Sequence, residues 1–211
     1  NILRTCVITA DRQISALSVE QLSDYITTGR LDLLVEDTLT QESELTQQIN
    51  DCLMGFEDRY PNSERNHAQA KAAKQLFNTE NVAVLNGPAG CGKTKIALEW
   101  AKLSEAKKII WVCPRVQVCE GLYQDLTNSN YLPACKVEIC TGEFKFINNK
   151  GEQLLTPQGK EFSGDLVLTT IDQIINSITS HTNVTALVDF LNSHVVFDEY
   201  HEYIPMPGFN L

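Results

Sequence analysis

The chain has 211 residues, 43% of them hydrophobic, and a formal net charge of −10. This is enough for one domain, or one and a half, with a real core, and the acid excess argues against a broad basic surface that holds nucleic acid by charge alone. No apolar run approaches a membrane span, no signal peptide is present, and the seven cysteines are scattered without a Cys-x-x-Cys pair, as expected for reduced thiols in a cytoplasmic protein.

The first residue is Asn rather than Met, so the native start is expected upstream. Residues 1–62 read as a mainly helical lead-in. Ser18-Val19-Glu20-Gln21 has the form of a capping box, and Gly29 suits the end of the helix that follows. A second helix is expected over 40–56, with Leu45, Ile49 and Leu53 on one face. A third, capped by Asn62 or Ser63, should run to about Phe77.

From residue 82 strands alternate with helices. Val82-Ala83-Val84-Leu85 is apolar without polar alternation, as buried parallel strands are, so a strand is expected there. Further strands are expected over 109–113, 137–140, 166–170 and 195–198, with crossover helices over 94–104, 116–126 and 171–178. Residues 143–163 interrupt this rhythm. Phe144-Lys145-Phe146-Ile147, a turn at Asn148-Asn149-Lys150-Gly151, and 152–155 predict a β-hairpin. Lys145, Lys150 and Lys160 on it read as solvated lysines rather than a clamp.

Between the first strand and its helix stands Gly87-Pro88-Ala89-Gly90-Cys91-Gly92-Lys93-Thr94, a complete Gly-x-x-x-x-Gly-Lys-Ser/Thr pattern. Gly87, Gly90 and Gly92 let backbone N–H groups turn inward around phosphate oxygens, and the helix N-terminus adds its dipole. Lys93 would reach the β- and γ-phosphates and the Thr94 hydroxyl would hold Mg²⁺. A nucleoside triphosphate is therefore the expected ligand. Val195-Val196-Phe197-Asp198-Glu199-Tyr200-His201 is an apolar strand running into Asp-Glu-x-His. A parallel strand delivers such carboxylates to the end of the sheet where the phosphate loop lies. Asp198 would hold the magnesium shell, Glu199 would orient and polarise the attacking water, and His201 would relay nucleotide state.

A phosphate loop followed by Asp-Glu-x-His resembles superfamily 2 DExH helicases. Trp111-Val112-Cys113-Pro114-Arg115 is similar to a motif of that superfamily that contacts the nucleic-acid backbone. Thr141-Gly142 and Thr169-Thr170-Ile171-Asp172-Gln173 are similar to its further strand-contacting motifs. The Thr-Thr-Ile-Asp-Gln wording, the Gly-Glu-Phe hairpin entry and Asp-Glu-Tyr-His-Glu-Tyr together resemble the CRISPR-associated helicase–nuclease of type I systems, most closely type I-F. The resemblance covers 65–211 well and 1–64 poorly.

It implies an α/β, RecA-like P-loop NTPase domain over 63–211, with a mostly parallel sheet and a hairpin insertion. It implies ATP and Mg²⁺ as cofactors and single-stranded DNA as the track, gripped by Arg115, Thr141, Thr169 and Thr170. The implied partners are an RNA-guided CRISPR surveillance complex and inhibitor proteins of phage origin, with no membrane. Gln69, on the residues alone a solvated glutamine on an amphipathic helix, acquires from the resemblance a role in reading adenine, with Arg65 assisting. The family's motif III, second RecA-like domain and arginine finger would follow Leu211, so the sheet is expected to be incomplete at the C-terminus and the piece alone nearly inactive. No His here is followed by Asp, so the family's nuclease signature is absent. Two other readings stay open: another DExH motor, for repair or restriction, and a nucleotide-dependent docking module without turnover.

Overall fold

Side chains along Ile109–Cys113 (β1) are buried on both faces of the sheet, and this is what organises the molecule. Ile109, Trp111 and Cys113 enter one apolar cluster and Ile110 and Val112 the other, the period-two alternation of a strand covered on both sides. Each large apolar side chain so buried contributes about 1.5–3 kcal/mol. The structure is a computed structural model. It describes residues 17–30, 43–79, 82–149, 151–156, 161–179 and 193–203, with scattered positions at 7, 10, 11, 14, 15 and 190.

The helices are Val19–Thr27 (α1), Leu45–Arg59 (α2), Glu64–Phe77 (α3), Lys93–Leu103 (α4), Val116–Thr127 (α5) and Ile171–Thr179 (α6). The other strands are Val137–Cys140 (β2), Lys145–Asn149 (β3), Glu152–Leu155 (β4), Leu166–Thr170 (β5) and His194–Phe197 (β6). They form a six-stranded sheet in the order β4-β3-β2-β5-β1-β6. β2, β5, β1 and β6 run parallel, and the β3–β4 hairpin continues the sheet antiparallel to β2. The expected hairpin is therefore present, and the architecture is the mostly parallel, RecA-like α/β sheet.

The local signals were chemical and they hold. Ser18 accepts from Gln21 N–H while the Gln21 side chain accepts from Ser18 N–H, a complete capping box. Gly29 has φ +65° and closes α1. Ser63, the second of the two expected caps, caps α3. The expected start of α2 near residue 40 lies outside the described residues, and the helix is seen from Leu45. Leu45, Ile49 and Leu53 are buried as its periodicity required. They join the cluster that holds Leu98, Ala101, Ile109 and Trp111, so α2 shares the core beneath α4. Thr46 Oγ1 donates to Ala106 O at 3.2 Å, and the buried Lys95–Glu99 pair at 2.6 Å lies under the Phe56 ring.

Residues 82–85 require a correction. They form no strand; Val82 and Val84 are 79% and 62% exposed. The apolar run on its own does not make a strand. No described strand lies beside it to accept its backbone bonds, and without a ladder neighbour its side chains stay in solvent. β6 likewise pairs with β1 alone among the described strands, and it ends at Phe197, so Asp198 opens the following turn.

On the far face, Glu138 of β2 is fully buried. Its carboxylate accepts from Phe162 N–H at 3.1 Å and Gly164 N–H at 2.8 Å. Burial pushes its pKa up, against the pull of these bonds and of Lys108. Gly164 is required there: a Cβ would stand 2.7 Å from Glu138 Cβ and 2.8 Å from Lys136 O.

Candidate functional site

The phosphate loop is shaped by its glycines. Gly90 and Gly92 have φ of +75° and +87°, where an L-residue pays roughly 1–2 kcal/mol. Gly92 is also the N-cap of α4, so Lys93 and Thr94 open that helix and its first N–H groups are free of intrahelical partners. Two side chains of α3 brace the loop from outside. Gln69 Nε2 donates to Cys91 O at 2.8 Å, and the Arg65 guanidinium donates to Gly90 O. A Cβ on Gly92 would lie 2.2 Å from Gln69 Nε2.

Gln69 is therefore not the solvated residue that its helix pattern alone suggested. It is 5% exposed, because α3 packs along the loop and α4. Its amide nitrogen is committed to the loop, which makes it a brace in the conformation seen.

The turn after β6 meets the loop through charge. Lys93 Nζ lies 3.2 Å from Glu199 Oε1 and donates to Gly87 O at 3.4 Å. Glu199 Oε2 is 3.5 Å from His201 Nδ1. Glu199 holds a left-handed backbone, φ +45°, and its N–H donates to Asp198 Oδ1 at 3.0 Å. The Asp198 carboxyl is pushed up, first by burial and then by the Glu199 charge; that N–H, the Trp111 indole and Lys93 pull the other way. The indole N–H is buried and makes no complete hydrogen bond. Two carboxylates and one ammonium thus converge at the C-terminal end of the parallel strands.

These residues fit a magnesium nucleotide. The loop is a glycine cradle, and Lys93 already holds an anionic oxygen of Glu199 where a phosphate oxygen would go. Among the described residues no group of three or more His, Cys, Asp or Glu side chains could hold a metal alone. Mg²⁺ takes one or two protein oxygens and completes its shell with phosphate and water; Thr94 and Asp198 are the residues that would supply them.

The residues expected to grip nucleic acid divide sharply. Arg115 is 67% exposed at the N-cap of α5 and pairs with Glu202 Oε2 at 2.9 Å. Thr141 and Thr169 are fully buried. Thr141 Oγ1 accepts from Phe144 N–H at 2.9 Å, closing the turn into the hairpin, and Thr169 Oγ1 donates to Cys140 O at 2.7 Å. Thr170 is buried as well. The Thr141 and Thr169 hydroxyls fasten the strand ends, and none of the three side chains faces solvent in this conformation. Lys145 pairs with Glu161 at 3.0 Å, while Lys150 and Lys160 lie outside the described residues.

Two contributors were missed by sequence reasoning. Glu202 was not singled out, although an acid just past Asp-Glu-x-His was a visible signal. Tyr203 is buried with its hydroxyl donating to Val112 O at 2.8 Å, anchoring the turn to β1; no spacing rule announces that bond.

Residues 60–208, more than half of the chain, match the profile of the type III restriction enzyme res subunit family. No curated protein and no solved structure matches the chain significantly.

Proposed function

The chain belongs to the type III restriction enzyme res subunit family, an ATP-dependent, helicase-like nucleotide-binding module of superfamily 2, and on that premise we propose that it is the nucleotide-binding half of an ATP-driven motor on DNA. The observation that carries the reading is the Lys93–Glu199 contact, which joins a complete phosphate loop to the Asp-Glu turn in one site. Lys93 leaves Glu199 to neutralise β- and γ-phosphate oxygens. Glu199, so released, orients and polarises a water, and His201 beside it feels the change. Asp198 and Thr94 would hold the metal shell. Bound Mg²⁺ would neutralise charge on the nucleotide phosphates. Gln69 and Arg65 keep the loop in register from the α3 side, where an adenine would be read.

We place single-stranded DNA along the C-terminal ends of β1, β2 and β5, with Arg115 as the leading phosphate contact. Backbone groups near Thr141, Thr169 and Thr170 would do the gripping, since such contacts do not need a basic surface. The finer assignment is the motor of a type I CRISPR helicase–nuclease, in the cytoplasm, with the surveillance complex and phage inhibitors as partners. It is supported by the wording of the motifs at 142–144, 169–173 and 198–203. The family match favours a second reading, a restriction or repair motor.

The experiment is ATP hydrolysis by the complete protein with single-stranded DNA, duplex DNA or none. Stimulation by single strands supports the first assignment and stimulation by duplex alone the second. Indifference to both would overturn the motor reading.

A further inference from the structure

The turn after β6 is tied at both ends to one residue of β1. Asp198 N–H donates to Val112 O at 2.9 Å, and the Tyr203 hydroxyl donates to the same carbonyl at 2.8 Å. Between these anchors runs the short helix Tyr200–Glu202, closed by Glu202 N–H donating to Glu199 O at 2.8 Å. Its two carboxylates reach cations on two different elements. Glu199 holds Lys93 of the phosphate loop at 3.2 Å, and Glu202 holds Arg115 at 2.9 Å. Glu199 carries the left-handed backbone on which the short helix starts, three residues before Glu202.

We propose that Glu202 is a latch on Arg115: its carboxylate occupies the place of a nucleic-acid phosphate, and it lets go when a nucleotide phosphate displaces Glu199 from Lys93. The inference rests on the reading of Arg115 as a phosphate contact. A guanidinium presents a fork that matches a carboxylate and a phosphate oxygen pair equally, so the two compete for it. The contact runs from Nη2 to Oε2 at 2.9 Å. Glu202 is a positioning residue in this scheme and touches neither nucleotide nor nucleic acid. Because the Arg115 side chain is 67% exposed, the latch is weak, at most about fivefold in affinity. Coupling between two binding sites is reciprocal, so nucleic acid at Arg115 should tighten nucleotide binding by the same factor that nucleotide tightens nucleic acid.

The test uses the complete protein, a fluorescein-labelled single-stranded oligonucleotide and fluorescence anisotropy at low salt, with and without a magnesium-bound non-hydrolysable ATP analogue. Wild type is expected to bind more tightly with the analogue. Glu202→Gln should bind ~2–5-fold more tightly than wild type without it and lose most of the analogue's increment. Glu202→Ala should move in the same direction. Arg115→Ala should weaken binding in both conditions and lower the salt slope by about one. If Arg115→Ala weakens binding but both Glu202 variants keep wild-type affinity and the full increment, or bind less tightly, the latch is refuted while the contact stands. If Arg115→Ala binds like wild type, the reading of Arg115 itself fails, and the latch with it.

Discussion

Replacing Gly92 by Ala should destabilise the domain more than replacing Gly90, although both glycines have positive φ. Gly90 has φ +75° and nothing within 4 Å of an added Cβ, so Gly90→Ala meets only the left-handed penalty, roughly 1–2 kcal/mol. Gly92 has φ +87° and the Gln69 amide nitrogen 2.2 Å from the new Cβ. That nitrogen is the far end of a flexible side chain, so Gln69 can swing away. Doing so breaks its 2.8 Å bond to Cys91 O and strands a buried amide, about 1–3 kcal/mol more. Gly92→Ala should therefore cost about 2–5 kcal/mol in all. Urea unfolding followed by the fluorescence of Trp100 and Trp111 measures both variants. Adding Gln69→Ala to Gly92→Ala removes the collision and should make the two changes non-additive, the pair costing less than the sum. Equal costs for the two single glycine variants, or strict additivity in the double variant, would show that Gln69 does not brace the loop.

Other expectations follow from the same geometry. Asp198→Asn should stabilise the folded chain by about 0.5–2 kcal/mol at neutral pH. Burial and Glu199 raise the Asp198 carboxyl above its ordinary value, so the folded state holds its proton more tightly than the unfolded state. This contribution is present in full below the unfolded pKa of 3.8 and is lost as pH rises through the folded value. The advantage of the variant should therefore shrink on acidification, and a stability difference independent of pH would contradict the account. Glu138→Ala leaves two buried N–H groups without an acceptor and should cost about 2–4 kcal/mol, read as a shifted denaturant midpoint at constant slope. Cys91 is half-buried in the loop whereas Cys52 is buried with its thiol pushed up to about 11. Saturating magnesium-ATP should protect Cys91 from alkylation, and peptide mapping that found equal labelling with and without it would place the phosphates elsewhere.

Features written in local chemistry were legible in the sequence. The capping box at Ser18, the Ser63 cap, the Leu45–Ile49–Leu53 face and the glycines of the phosphate loop each follow from interactions within a few residues. The strands β1, β2 and β5 were legible because burial on both faces makes them mainly apolar, with Glu138 in β2 and Thr169 and Thr170 in β5 as the polar exceptions. Residues 82–85 carry the same apolar pattern and yet form no strand, since a strand is a property of a pair and the pattern reports only one member. At the site, Lys93, Asp198 and Glu199 were singled out by motif spacing, and the structure brings Lys93 and Glu199 to 3.2 Å of each other. Gln69 and Glu202 act through partners 22 and 87 residues away in sequence, Cys91 and Arg115. Thr141 and Thr169 show the converse: a hydroxyl at a strand end reads alike whether it faces a ligand or fastens a turn.

The measurement that bears most directly on the central claim is calorimetric titration of magnesium-ATP into the wild-type chain and into Lys93→Ala. The Lys93–Glu199 pair is partly exposed, so its loss should change stability by less than about 1 kcal/mol and leave a folded protein for comparison. Saturable binding by wild type, weakened at least tenfold in a folded Lys93→Ala, is the predicted result. Equal binding by the two proteins, or none by a folded wild type, would contradict it.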